Sequence, residues 1–194
     1  GNILIQSIIN GFGTSAIAGY AAAIKFNNFA VTSFNTLGNG MSNFTAQNLG
    51  AMQTVRVREG YKGCLKMMAG IATLFVLVYV FFGGQVIRLF LNDESSGSLA
   101  VGVEFLLIVS PFYYAVALKL ATDGVLRGAS RMTEFMTDTF VDLAMRVALS
   151  FILAGPFGLT GVWWSWPVSW CVSSGLSVLF YRRGRWANLG SAEP

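Results

Sequence analysis

Histidine is absent from this sequence, cysteine occurs twice, and only 11% of its 194 residues are charged. Without histidine a Cys/His metal site is excluded. The two cysteines do not suggest a disulfide, because Cys64 borders one apolar run and Cys171 lies inside another. A soluble domain carries about 25% charged residues, so this chain is short of ionised surface. It has no Gly-x-Ser-x-Gly elbow, no phosphate loop and no paired carboxylates in a soluble cleft, so no catalytic motif stands out. Asp123 with Asp142 would be the material for an intramembrane protease, yet each has a basic residue four positions away. The net charge of +4 is not a nucleic-acid signature either. Nine of the thirteen Lys and Arg fall in three clusters at the ends of apolar segments, with no Arg-rich arm and no basic stripe interleaved with aromatics.

What is abundant is apolar length. Met67 to Ile87 runs twenty-one residues without a charge, and Leu74 to Phe82 is apolar on every face. About 20 helical residues cross the roughly 30 Å hydrocarbon core of a bilayer. Arg56, Arg58, Lys62 and Lys66 precede the run, and Asp93 and Glu94 follow it. The positive-inside rule puts the basic end in the cytoplasm.

The rest of the chain reads as spans placed around this one, over 1–18, 21–47, 67–87, 99–126, 132–154 and 159–181, with a polar tail over 187–194. In the first, Gln6 and Asn10 sit four apart on one face, and Gly11, Gly13 and Gly19 loosen its far end. In the second, Asn28, Thr32, Asn35, Asn39 and Ser42 recur every three or four residues, a continuous polar stripe on a helix. Amides in hydrocarbon need partners, so the stripe faces either other helices or a water-filled cavity. The connection over 46–66 reads as an inside loop with an amphipathic helix from Thr54.

Pro111 should kink the fourth span, whose inner half carries Lys119, Asp123 and Arg127 at intervals of four, with two intrahelical ion pairs available. The fifth carries Glu134, Asp138, Asp142 and Arg146, again four apart. Asp142 and Arg146 fall near its midpoint as a buried pair or as part of a coupling relay. Trp163, Trp164, Trp166 and Trp170 crowd the outer end of the sixth and are expected as an interfacial belt. Arg127 with Arg131, and Arg182, Arg183 and Arg185, close the remaining inner ends. Six spans with both ends inside satisfy the charge rule without conflict. The expected fold is an all-α membrane protein, a six-helix transmembrane bundle over 1–186.

Four stretches have a family look: IQSIINGFGTSAIAGY, AQNLGA, DGVLRGAS and TGVWWSWPVSW. In their order and spacing the chain resembles the multidrug and toxic compound extrusion (MATE) family over essentially its whole length. The resemblance implies one lobe of a twelve-helix transporter, whose two six-helix lobes are related by an axis along the membrane normal. This chain looks like the second lobe. Because it starts at Gly1 inside an apolar run, its first helix is expected to be clipped, with the first lobe as its missing partner. Some members use an acidic residue in the helix matching the first span; here only Gln6 and Asn10 stand there.

The function implied is a bacterial plasma-membrane antiporter exporting amphiphilic or cationic organic compounds in exchange for H+ or Na+, with no other cofactor. Gln6, Asn10, Asn28, Thr32, Asn35 and Asn39 are its candidate cavity lining, and Asp123, Asp142 and Arg146 its candidate coupling residues. The alternative is a lipid-linked saccharide flippase of the related superfamily, which would need several cationic residues facing a central cavity. Here two of the three deep cations, Lys119 and Arg146, have acidic neighbours.

Overall fold

The computed structural model describes residues 2–91 and 96–187, which are helical and contain no strand. In order they form α1 (Asn2–Asn10), α2 (Thr14–Gly50), α3 (Thr54–Arg88), α4 (Ser96–Val109), a 3-10 turn at Ser110–Phe112, α5 (Tyr113–Gly128), α6 (Met132–Arg182) and a last 3-10 turn at Arg185–Ala187. Three stretches are long and apolar enough to cross a membrane: Thr54–Arg88, Gly97–Gly128 and Met132–Arg182. Helix α2 has the length, at 37 residues, but the amides of its polar stripe dilute its apolar character. The residues expected to mark the outer side, Asp93 and Glu94, and most of the expected tail, 188–194, lie outside the described residues.

Helix α6 is two spans. Its backbone breaks at Gly158, where φ is +60° and ψ −143°, a left-handed conformation that glycine adopts at no steric cost. The two arms then run back along each other. Ser150 meets Ser165 at 2.8 Å, Ser173 donates to Asp142 at 3.4 Å, and Ser177 bonds Asp138. Each pair is placed symmetrically about the Phe157–Gly158 junction, which fixes the register of an antiparallel helical hairpin. The expected fifth and sixth spans correspond to these arms, and the expected kink at Pro111 to the 3-10 turn between α4 and α5.

Two expected boundaries move. The span over 1–18 is not one helix: α1 ends at Asn10, and the chain turns through Gly11–Gly13, with Gly13 at φ +96°. Gly19 was expected to loosen the end of that span and instead sits inside α2. A Cβ there would strike the backbone of Ser98 and Gly102 on α4, so Gly19 serves close packing. The inside loop over 46–66 is also mostly helix. Only 51–53 lie between α2 and α3, and no proline interrupts Thr54–Arg88, so the amphipathic segment continues into the membrane span.

The turns at 51–53 and 129–131 share one geometry. Gln53 N–H bonds Asn48 O at 2.7 Å and Met52 N–H bonds Leu49 O at 2.9 Å; Arg131 N–H bonds Leu126 O at 2.8 Å and Ser130 N–H bonds Arg127 O at 3.0 Å. These are paired Schellman closures, which satisfy the orphan carbonyls of a helix end. The left-handed position is taken by Met52 (φ +55°) in one and Ser130 (φ +57°) in the other. The AQNLGA and LRGAS stretches are therefore the sequences of two equivalent helix stops.

At that end the three basic clusters converge. Arg131 donates twice to Arg185 O, at 2.6 and 3.1 Å, and Arg58 lies 5.9 Å over the Trp186 ring. Tyr61, Tyr181 and Trp186 stack in sequence, with centroids 4.6 and 5.1 Å apart. The core runs up the axis of the bundle through Phe34, Tyr79, Tyr113 and Phe105 to Trp163. Helix α2 is its central member and meets α4 and α5 almost backbone to backbone. A Cβ on Gly38 would come 2.7 Å from Leu120 O, and one on Gly124 would come 2.5 Å from Gly38 O.

Candidate functional site

The opposite face of α2 is open. Asn28, Thr32, Asn35 and Asn39 are all exposed, with Thr36, Asn43 and Gln47 beside them. Ser33 and Thr36 return their hydroxyls to the carbonyls of Phe29 and Thr32, each at 3.0 Å. Packing inside this lobe therefore does not account for the stripe, since its buried face is the apolar and glycine-lined one. At membrane depth such a face needs polar partners beyond the lobe, either water or protein.

Where α2, α5 and the first arm of α6 diverge, a cavity of about 240 Å³ opens beside Asn35. Lys119, Asp123, Asp142, Arg146 and Trp170 reach it. The Arg146 guanidinium bonds Asp142 and lies 4.5 Å over the Trp166 ring and 5.9 Å from that of Trp170. A planar cation held by a carboxylate and two indoles is fixed in place.

Deeper in the lobe lies a second cluster. Lys119 Nζ is 2.5 Å from Asp123 Oδ2 and 3.2 Å from Asp138 Oδ2. Ser177 Oγ lies 3.0 Å from Asp123 Oδ1 and also contacts Asp138 Oδ2. Asp123 is 1% exposed, Asp138 0% and Lys119 6%. Three helical segments thus contribute to one charged knot, and Tyr61 of α3 backs it through a 2.8 Å bond to Thr122. Among the described residues no group of three or more His, Cys, Asp or Glu is arranged to hold a metal ion.

The MatE family profile matches residues 1–152, more than half of the chain. The chain belongs to the MatE family. Among curated relatives it is 23% identical over 187 residues to the probable multidrug resistance protein YpnP of Bacillus subtilis (strain 168), covering 96% of this chain and 42% of that protein. YoeA, another probable multidrug resistance protein of that strain, is 24% identical over 185 residues, covering 93% of this chain and 39% of that protein. The chain thus spans about two-fifths of the length of these relatives. Among solved structures, a MATE mutant superposes with a TM-score of 0.87 at 16% identity, over 95% of this chain and 42% of that one. An inward-facing multidrug resistance MATE family transporter of the MOP superfamily superposes at 0.83 and 15% identity, over 92% and 41%. The fold is that of one lobe of a MATE transporter, and the family is one of transporters.

In this MatE lobe the candidate residues fall into three places. Gln6 and Asn10 bond each other along α1 at 3.1 Å and stand apart from the charged cavity. Asn28, Thr32 and Asn39 lie on the open face of α2, where Asn35 alone also reaches the cavity. Asp123, Asp142 and Arg146 come together around it. Of the two ion pairs available along α5, Lys119–Asp123 forms, whereas Arg127 lies 5.2 Å over the Phe135 ring.

The tryptophans depart from the expected belt. Trp163, Trp166 and Trp170 are buried, and only Trp164, 42% exposed, stands outward. Their spacing of three and four marks one helix face, and that face is turned inward, where Trp163 stacks on Tyr20 at 5.4 Å. Sequence reasoning missed the feature sharing that region. Ser165, Ser169, Ser173 and Ser177 recur every four residues, all fully buried, along the seam of the α6 hairpin. The signal was visible in SWPVSWCVSSGLS but was masked by the aromatics between the serines. Asp138 was missed as well, because its partner lies on another helix.

Proposed function

We propose that this MatE lobe forms half of a secondary antiporter that exports amphiphilic or cationic organic compounds across the bacterial plasma membrane, in exchange for H+ or Na+. It works against a first lobe, with its three basic clusters on the cytoplasmic side. The observation that carries this reading is the open polar face of α2, which meets a charged cavity at Asn35. A stripe of amides at membrane depth is costly unless it lines a polar pathway or a protein contact. An open polar face on this helix supports a cleft closed by a second lobe. The names of YpnP and YoeA as probable multidrug resistance proteins support the substrate class. In this reading Asn28, Thr32, Asn35 and Asn39 line the cleft, Gln6 and Asn10 border it, and Asp123, Asp142 and Arg146 couple ion to substrate.

Asn39→Leu and Asp142→Asn in the two-lobe protein test it, by export of fluorescent cations from inverted vesicles. Asn39→Leu should change the substrate profile at near-normal abundance, and Asp142→Asn should abolish ion-coupled export while substrate still binds. Folded protein lost in proportion to export would make the stripe a packing surface. Normal export by Asp142→Asn and by Asp123→Asn would make both carboxylates structural and leave the coupling to the first lobe.

A further inference from the structure

The Lys119–Asp123–Asp138–Ser177 knot is short of one hydrogen. A hydroxyl carries a single hydrogen, so it makes two full hydrogen bonds only if it also accepts one. Ser177 Oγ nevertheless lies 3.0 Å from Asp123 Oδ1 and in hydrogen-bond contact with Asp138 Oδ2. With both carboxylates ionised, that one hydrogen would have to serve two acceptors between side chains that are 1% and 0% exposed, where a poorly matched polar contact is costly.

The charges show the same deficit. Two buried carboxylates face one ammonium, at 2.5 and 3.2 Å, and like charges sharing a site disfavour one another. Among the described residues no second cation arrives from the helices packed around them. On α5, Arg127 lies over Phe135; on the first arm of α6, Arg146 is taken by Asp142. Helix α3 brings the Tyr61 hydroxyl, engaged with Thr122, and α2 brings the neutral amide of Asn35 on the cavity side. The second arm brings Ser173 and Ser177.

We infer that the Asp123–Asp138 pair holds one shared proton, that the Lys119 ammonium fills the place a metal cation would take, and that this knot therefore takes H+ and not Na+. The coupling role of that proton rests on the antiport reading above; the proton itself does not. Sodium entering the knot would have to displace an ammonium tethered to α5 and lying 2.5 Å from its carboxylate. Proton exchange needs only the one hydrogen missing from the count. Ser177, touching both carboxylates, is the group through which that hydrogen passes from one to the other: Ser177 gives its hydrogen to one carboxylate as it accepts the shared proton from the other.

Infrared spectroscopy of the chain in lipid nanodiscs at neutral pH tests this through the carboxylic-acid C=O stretch. The wild type should show a band that disappears entirely in Asp123→Asn and in Asp138→Asn, because Lys119 and Ser177 fully satisfy a single remaining carboxylate. Ser177→Ala should keep the band but shift its frequency. Replacing K+ by Na+ should leave the wild-type band unchanged, a measurement that needs no variant to fold. A wild type without such a band, or a band that fades as Na+ is added, overturns the inference. The band with these properties supports it whether or not the two-lobe protein exports drugs.

Discussion

Gly38 and Gly40 stand two residues apart on α2, and replacing each by alanine should shift stability in opposite directions. Alanine in a helix interior is favoured over glycine by about 1 kcal/mol, and that gain applies equally at both positions. Gly40 has open space where a Cβ would stand, so Gly40→Ala keeps the gain. At Gly38 the new Cβ would come 2.7 Å from Leu120 O. That atom belongs to the α5 backbone and cannot swing aside as a side chain would. The helices must separate by about half an ångström or more to reach ordinary contact, and overpacking of this kind costs about 1–3 kcal/mol. The helix term cancels between the two variants, so the gap between them should be that overpacking cost. At about 2–4 °C per kcal/mol for a chain of this size, Gly38→Ala should melt roughly 2–12 °C below Gly40→Ala. The assay is thermal unfolding of the purified chain in detergent, followed by the fraction that elutes as monodisperse protein. Gly124→Ala should behave like Gly38→Ala, since its Cβ would meet Gly38 O at 2.5 Å. Equal midpoints for Gly38→Ala and Gly40→Ala would refute the backbone-contact account of how α2 packs.

Ser130 holds φ +57° at a Schellman stop, and Ser130→Gly should relieve about 1 kcal/mol of left-handed strain, raising the melting midpoint by roughly 2–4 °C; a lower midpoint would contradict it. Arg146→Lys keeps the charge opposite Asp142 but loses the planar stack on Trp166, a loss of about 1 kcal/mol. Arg146→Gln strands a part-buried carboxylate, should cost about 3–5 kcal/mol, and should show a much lower yield of folded protein; similar yields for the two would speak against the caged ion pair. With Cys64 and Cys171 replaced by serine, a membrane-impermeant thiol reagent applied outside cells should label Phe157→Cys and spare Thr54→Cys. The reverse pattern would invert the orientation.

Charge and apolar length made most of the helices legible. The membrane part of α3, Met67–Ile87, and the second arm of α6 follow from uncharged runs ended by Arg88 and Arg182, because nothing but the bilayer demands that pattern. The first helix was misplaced because glycine carries two meanings. Gly13 separates two helices, standing just before α2 with its positive φ, while Gly19 sits inside one because another backbone needs the space. Periodicity cannot separate the two, since the second depends on a helix far along the chain. The site was half legible for the same reason. Asp142–Arg146 and Lys119–Asp123 lie four apart on single helices and could be counted off. Asp138 to Lys119 and Ser177 to Asp123 cross between helices. Those contacts exist only once the hairpin register is set.

That register makes α6 intolerant of changes in length. A residue added to one arm turns everything beyond it by about 100° and lifts it by about 1.5 Å. One insertion between Trp170 and Ser173 would carry Ser173 away from Asp142 and Ser177 away from both Asp123 and Asp138. A residue added at the Phe157–Gly158 junction would fall in the turn, leaving room for the arms to keep their pairing. Length variation along this hairpin among functional sequences should therefore collect at that one corner, and the spacing from Asp138 to Arg146 and from Ser165 to Ser177 should stay constant even where the residues between them change freely.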